Sequence, residues 1–250
     1  MKRSPLVLAA FAVLLLNFSA LAADRERVVI TTLDWPPYTG SELPKLGATT
    51  EVVRQAFDQA GLDVDVQFLP WKRAIAEAKN GEAVAYYPGY HCSHAADFEA
   101  SNPVGTGPLG FAEHIEAPIS WETVHDLGEQ KLKIGTVLGY ANTDEFDEKV
   151  GSGWIRAISA KDDLTNLKKL LRRRIDAVVI DKLVMSYLVA TEPSLSEGVD
   201  LLQFNERPLE GKILHVCFTE DQVALRDRFN EGLEKVNTEK VVDDYFANEF

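Results

Sequence analysis

Residues Arg27 to Leu33 read RVVITTL, and Asp34-Trp35-Pro36-Pro37-Tyr38 follows at once. The β-branched run reads as a strand, and the prolines stop it because neither can donate to a sheet ladder. From Thr50 to Ala60 the apolar residues Val53, Ala56, Phe57 and Ala60 share one helical face, with Gly61 as the stop. Val64 to Leu69 is a second strand, Lys72 to Lys79 a second helix closed by Asn80-Gly81, and Ala83 to Tyr87 a third strand. The order βαβαβ implies a parallel sheet covered by helices, because parallel neighbours need a crossover and the crossover is helical.

A second set of the same kind follows. Lys131 to Val137 is a strand broken by Gly139, and Asp144 to Val150 is helical. Asp162 or Asp163 caps a helix that carries Leu164, Leu167, Leu170 and Leu171. Asp176 to Ile180 is a strand and Lys182 to Ala190 a helix. Near the end, Lys212 to Phe218 (KILHVCF) is a strand ahead of a helix with Leu225, Phe229, Leu233 and Val236 on one face. Two α/β sets in one chain fit two lobes of ordinary domain size.

The chain has 250 residues, 46% hydrophobic, with 26 Lys+Arg against 39 Asp+Glu and a net charge of −13. So acidic a surface repels phosphate backbones, so no nucleic-acid partner is expected. Two cysteines make neither a disulfide scaffold nor a four-thiolate zinc site. Lys2 and Arg3, the apolar run Leu6 to Phe18 and the small-x-small Ala20-Leu21-Ala22 read as a cleavable secretory signal over residues 1–22. The mature product is therefore expected outside the cytoplasm.

In open parallel sheets, sites lie beyond the carboxyl ends of the strands. That rule points at Asp34 to Tyr38, Tyr87 to His94, Val137 to Asn142 and Asp181, and so at a cleft between lobes.

Several of these stretches resemble the periplasmic solute-binding proteins of polar amino-acid ABC transporters, the extracytoplasmic family 3 type. They are LDWPPYTG (33–40), PWKRAIAEAKNGEAVAYYP (70–88), FEASNPVG (98–105), LKIGTVLGY (132–140), RIDAVVIDKLVMSYL (174–188) and FNEGLEKV (229–236), in the family's order. The resemblance implies an α/β fold: a two-lobed periplasmic-binding-protein (type II) clamshell, each lobe a mainly parallel sheet flanked by helices. It places lobe 1 at residues 23–112 with a return segment at 207–250, and lobe 2 at 113–206. The first crossing would fall near Gly110 to Ile115 and the return near Gln203 to Lys212, with KILHVCF antiparallel in the first sheet. It further implies a monomer that binds a small polar solute, an amino acid or related compound, and works with an inner-membrane ABC permease or a sensor.

Each candidate contact reads two ways. Trp35 sits where the family lays an aromatic ring on its ligand, or else it caps the core at a Pro-Pro turn. Tyr38, Trp71 and Tyr87 are further aromatic candidates that serve equally as lobe core. Asp181 matches the family's acid for an ammonium group, and its position also suits a helix N-cap. The turn Gly139-Tyr140-Ala141-Asn142 offers backbone N–H groups to a carboxylate, or is a plain glycine turn. The family's carboxylate-clamping arginine lies seven residues before the Ser of F-S-x-P. Here that count back from Ser101 reaches His94, and Ala100 stands where Phe is usual. Histidine is only partly charged near neutrality and forms no bidentate fork. Arg73 is the alternative fork, or a solvated helix residue.

His91-Cys92-Ser93-His94 invites a metal, but these ligands are too close in sequence to set a tetrahedral site alone, and no metal is expected. A disulfide between Cys92 and Cys217 stays open. No G-x-S-x-G elbow, Walker loop, dinucleotide fingerprint or H-E-x-x-H occurs, so neither cofactor nor catalysis is expected. Two rivals remain. One is a dehydratase-like periplasmic enzyme on the same fold, with His94 facing Glu99 or Asp181. The other is a ligand-sensing module acting through a separate membrane protein.

Overall fold

The structure is a computed structural model that describes residues 25–92 and 97–249; the expected signal segment and His94 lie outside them. In chain order the first part runs β1 (Arg27–Thr32), α1 (Ala48–Gln59), β2 (Asp63–Phe68), α2 (Trp71–Lys79), β3 (Ala85–Gly89), β4 (Phe98–Ala100) and β5 (Gly105–His114). The middle runs α3 (Val124–Glu129), β6 (Lys133–Val137), α4 (Asp144–Gly151), β7 (Arg156–Ala160), α5 (Asp163–Leu171), β8 (Ala177–Asp181), α6 (Lys182–Thr191) and β9 (Leu202–Phe204). The chain closes with β10 (Glu210–Thr219), α7 (Val223–Leu233) and α8 (Thr238–Glu249).

Strand order along the sheet is β2-β1-β3-β10-β5-β8-β6-β7, with β4 paired to β10 and β9 to β5. β1 is parallel to both β2 and β3, as the βαβαβ reading requires. β6 is likewise parallel to β7 and β8. The two parallel groups are joined by the long strands β5 and β10, which are antiparallel to their neighbours. Residues 215–218 of β10 pair with β3, whereas residues 210–214 pair with β5. β5 in turn pairs through residues 109–113 with β8. β10 thus flanks the first group and β5 the second, and the two groups meet through the β10–β5 pairing.

Local chemistry explains the placements. α1 turns Val52, Val53, Ala56 and Phe57 inward, and the Phe57 ring lies 4.8 Å from that of Phe229 on α7. Burying each such ring stabilises by roughly 1.5–3 kcal/mol. Gly232 lets α7 come this close, since a Cβ there would stand 2.2 Å from the Ala56 carbonyl oxygen. α5 starts at Asp162, whose carboxylate accepts the Thr165 N–H at 2.7 Å. The third strand begins two residues later than expected and continues through Pro88 to Gly89. Cys92 and Cys217 form a disulfide with Cα atoms 5.2 Å apart, which ties the segment after β3 to β10.

Candidate functional site

The loop after β1 is drawn tight. The Trp35 N–H donates to the Thr39 carbonyl at 2.8 Å, and the Thr39 hydroxyl donates to the Leu33 carbonyl at 2.7 Å. This turn stacks the Trp35 and Tyr38 rings, centroids 4.6 Å apart and planes 24° from parallel. The Tyr90 ring stands edge-on to Trp35 at 5.9 Å.

One face of this loop borders a cleft of about 250 Å³ at the carboxyl ends of β1, β3 and β6. The first group of elements supplies Leu33, Trp35, Trp71, Ile75, Tyr86 and Tyr90, with Pro88, Gly89 and His91 between them. The second supplies Gly139, Tyr140 and Ala141. The two sides meet where the Trp71 indole N–H donates to the Gly139 carbonyl at 3.0 Å. Gly139 has φ +88°, and a Cβ would stand 2.9 Å from the Lys72 side chain, so glycine suits both the turn and the approach.

Behind the loop lie two buried carboxylates. Asp181, 2% exposed, ends β8 and caps α6, accepting N–H bonds from Leu183 at 2.8 Å and Val184 at 3.2 Å. The Tyr38 hydroxyl donates to it at 3.1 Å. Gly107 on β5 makes room, for a Cβ there would be 2.2 Å from the Asp181 carboxylate and 2.4 Å from the Tyr38 hydroxyl. Asp163, 5% exposed, opens α5 and is hydrogen-bonded by the Trp35 side chain. Burial pushes Asp181 up to about 6, against the pull of its N–H donors. Burial, helped by the charges of Asp162 and Asp181, pushes Asp163 up to about 7. Burial also raises the Tyr38 phenol, and the Asp181 charge adds to it. Among the described residues neither Asp163 nor Asp181 forms an ion pair.

Of the residues singled out in the sequence, Trp35, Trp71, Gly139 and Tyr140 line the cleft together. Tyr38 and Asp181 bind each other behind it. Tyr87 is wholly buried in the core with its hydroxyl 2.9 Å from that of Thr50, and its neighbour Tyr86 lines the cleft instead. Arg73 is exposed and pairs with Glu77 at 3.0 Å. The Asn142 amide and backbone N–H both go to Asp147, at 2.8 and 2.7 Å. The Tyr140 N–H is bonded to the Val137 carbonyl at 3.1 Å, so part of the turn's N–H array is already engaged. His94 lies outside the described residues. No group of three or more His, Cys, Asp or Glu among the described residues is placed to hold a metal ion.

Four participants were not singled out. Asp163 was legible only as a helix start, and Tyr86 and Tyr90 only as neighbours of a flagged tyrosine. Lys212, 2% exposed, lies with its ammonium 5.5 Å from the Tyr90 ring centre, held by Glu210 at 3.0 Å and His91 at 3.1 Å. A lysine in the strand KILHVCF carries no sequence signal for burial.

No family model matches the chain, and no curated protein is similar to it in sequence. Solved structures are similar in fold. An ancestral arginine-binding protein bound to arginine matches with a TM-score of 0.72 at 15% identity, over 90% of this chain and 99% of that one. A histidine kinase sensor domain with similarity to periplasmic binding proteins matches at 0.74 and 16%, over 91% and 97%. An ancestral amino-acid-binding protein described as a precursor of cyclohexadienyl dehydratase matches at 0.68 and 15%, over 90% and 95%. At these identities the likeness is one of fold: the chain has the two-lobed α/β fold of the periplasmic binding proteins.

Proposed function

We propose that this protein is a periplasmic solute-binding protein that closes around a small polar solute, an amino acid or a related compound. The observation that carries the reading is the cleft itself, walled by Trp35, Trp71 and Tyr90 on one side and by Gly139 to Ala141 on the other. Ligand contacts made to both walls stabilise a closed form, and that differential contact is what drives hinge closure. Arginine in a structure of like fold supports the solute class. The lobes are residues 23–112 with 207–250, and 113–206, and β5 and β10 supply the crossings. The protein acts as a monomer after export, without catalysis, and hands its solute to an inner-membrane ABC permease or is read by a sensor. The first test is a thermal-shift screen of residues 23–250 against amino acids, their amides and decarboxylated amines, organic acids and divalent metals. A ligand at 100 times its Kd adds ~2.7 kcal/mol, a rise of roughly 5–10 °C for a chain of this size. A selective rise supports the reading; a flat panel overturns it.

A second reading, a dehydratase-like enzyme, is favoured by one observation. Asp163 is pushed up to about 7, where a carboxyl can exchange protons at neutral pH. Recovery of a bound solute chemically unchanged after prolonged incubation excludes it.

A further inference from the structure

Resting on that reading of the cleft as a solute site, we propose that its solute is a small organic cation. Its positive charge lies against the Trp35 and Trp71 rings, with the Asp163 carboxylate beyond the Trp35 indole as counter-charge. Trp35 connects the two, since its ring borders the cleft and its side chain hydrogen-bonds Asp163. The face of an indole attracts a cation, and more so where water is excluded.

A second observation points to the same place. The Tyr90 hydroxyl is buried and has no hydrogen-bond partner among the described residues. Burial, with the charges of Asp181 and Asp163 added, holds its phenol well above the ordinary range, so the hydroxyl keeps its proton in a negative field. A buried hydroxyl without a partner costs about 1–3 kcal/mol, and an ammonium N–H donated to its oxygen would remove that cost.

Charge bookkeeping agrees. Arg73 is spent on Glu77 at the surface, and Lys212 is held by Glu210 and His91. Asp163 and Asp181 remain without an ion-pair partner among the described residues. An anionic solute would meet their repulsion, whereas a cation would relieve it.

The site also couples binding to a proton. The groups that face Asp163 are Asp162 just before its own helix, Asp181 at the end of β8, Trp35 from the loop after β1, Tyr90, and Tyr140 from the turn after β6. Lys212 lies over the Tyr90 ring, and His91, in contact with the Lys212 ammonium, lines the cleft itself. With Asp163 pushed up to about 7, unliganded molecules carry and release its proton around neutral pH. A cation favours the ionised form, so binding expels that proton and affinity rises with pH.

The test titrates the mature protein by intrinsic tryptophan fluorescence with sets matched in shape and differing in charge. One set is choline with its neutral isostere 3,3-dimethylbutan-1-ol; the other is pentylamine with pentan-1-ol and pentanoate. The expected result is that the cation binds at least tenfold tighter in each set, that its affinity falls about tenfold from pH 8 to pH 6, and that Asp163→Asn cuts this to the about twofold slope left by Asp181, which is pushed up to about 6. Equal or tighter binding of the neutral or anionic partner, or a full tenfold slope that persists in Asp163→Asn, overturns the proposal. The wild-type slope alone decides if the variant does not fold. If a neutral or anionic solute from the wider panel binds while the cations do not, solute binding stands and the cation falls. If nothing binds, both fall.

Discussion

The two walls of the cleft bring opposite chemistry to it. The first group of strands contributes rings and donors: the Trp35, Trp71 and Tyr90 rings, and the Trp35, Trp71 and Tyr38 side-chain donors. The second contributes one ring, that of Tyr140, and acceptors: the Gly139 carbonyl at the cleft and the carboxylates of Asp163 and Asp181 behind it. Each described side-chain bond across the cleft thus runs from a donor on an aromatic side chain to an oxygen. Such bonds are directional, so they fix how the walls meet, while the rings supply area that tolerates solutes of varied shape. Orientation thus rests on bonds that need both sides, while capacity rests on rings drawn mostly from the first.

The division can be broken most severely at Tyr38. Tyr38→Ala removes a buried ring from the stack on Trp35 and should cost about 3–5 kcal/mol in denaturant unfolding. A loss below 1 kcal/mol would show that the stack contributes little to holding the walls together. Next comes Asp163→Asn. Burial raises this carboxyl in the folded state, so its contribution to stability is full below its unfolded value and is lost as pH rises through about 7. The variant should therefore be more stable than wild type by about 4 kcal/mol at pH 8, an advantage that vanishes near pH 4. Thermal unfolding across that range checks the sign; an advantage that grows towards acid pH would refute it. Tyr38→Phe is milder, deleting only the donor to Asp181, and should cost about 1 kcal/mol because the α6 N–H groups still satisfy that carboxylate. Smallest of all, Arg73→Ala breaks an exposed pair with Glu77 and should change stability by less than about 0.5 kcal/mol. If it also abolished solute binding, the placement of Arg73 outside the cleft would be wrong.

What the chain reveals before folding follows from range. The parallel strands other than β7, with α1, α5 and α6, are legible because their apolar spacing is local, and the loops after β1 and β6 are legible because strand ends define them. β7 (RAISA) is short and half-exposed and gives no such signal. Nor is β5 legible. GTGPLGFAEH holds three glycines and a proline, which argue against a strand by propensity. Gly107 is small to admit Asp181 and Tyr38, and Gly110 is small because a Cβ there would sit 2.5 Å from the Phe204 ring. The partners that explain these glycines are far away in sequence. Asp163 hides for the same reason. The neighbouring residues show a helix start, and only the arrival of Trp35 from the other end of the chain turns it into a buried acid.

The Cys92–Cys217 bond has a practical consequence for anyone preparing this protein. It fastens the segment bearing Tyr90 and His91 to β10, the strand that joins β3 to β5. Material made in a reducing host would keep its fold's architecture yet lose that staple, leaving one cleft wall to be ordered afresh at each binding event. Two batches of identical sequence and different thiol content would then return different affinities, so a thiol count belongs beside every binding curve.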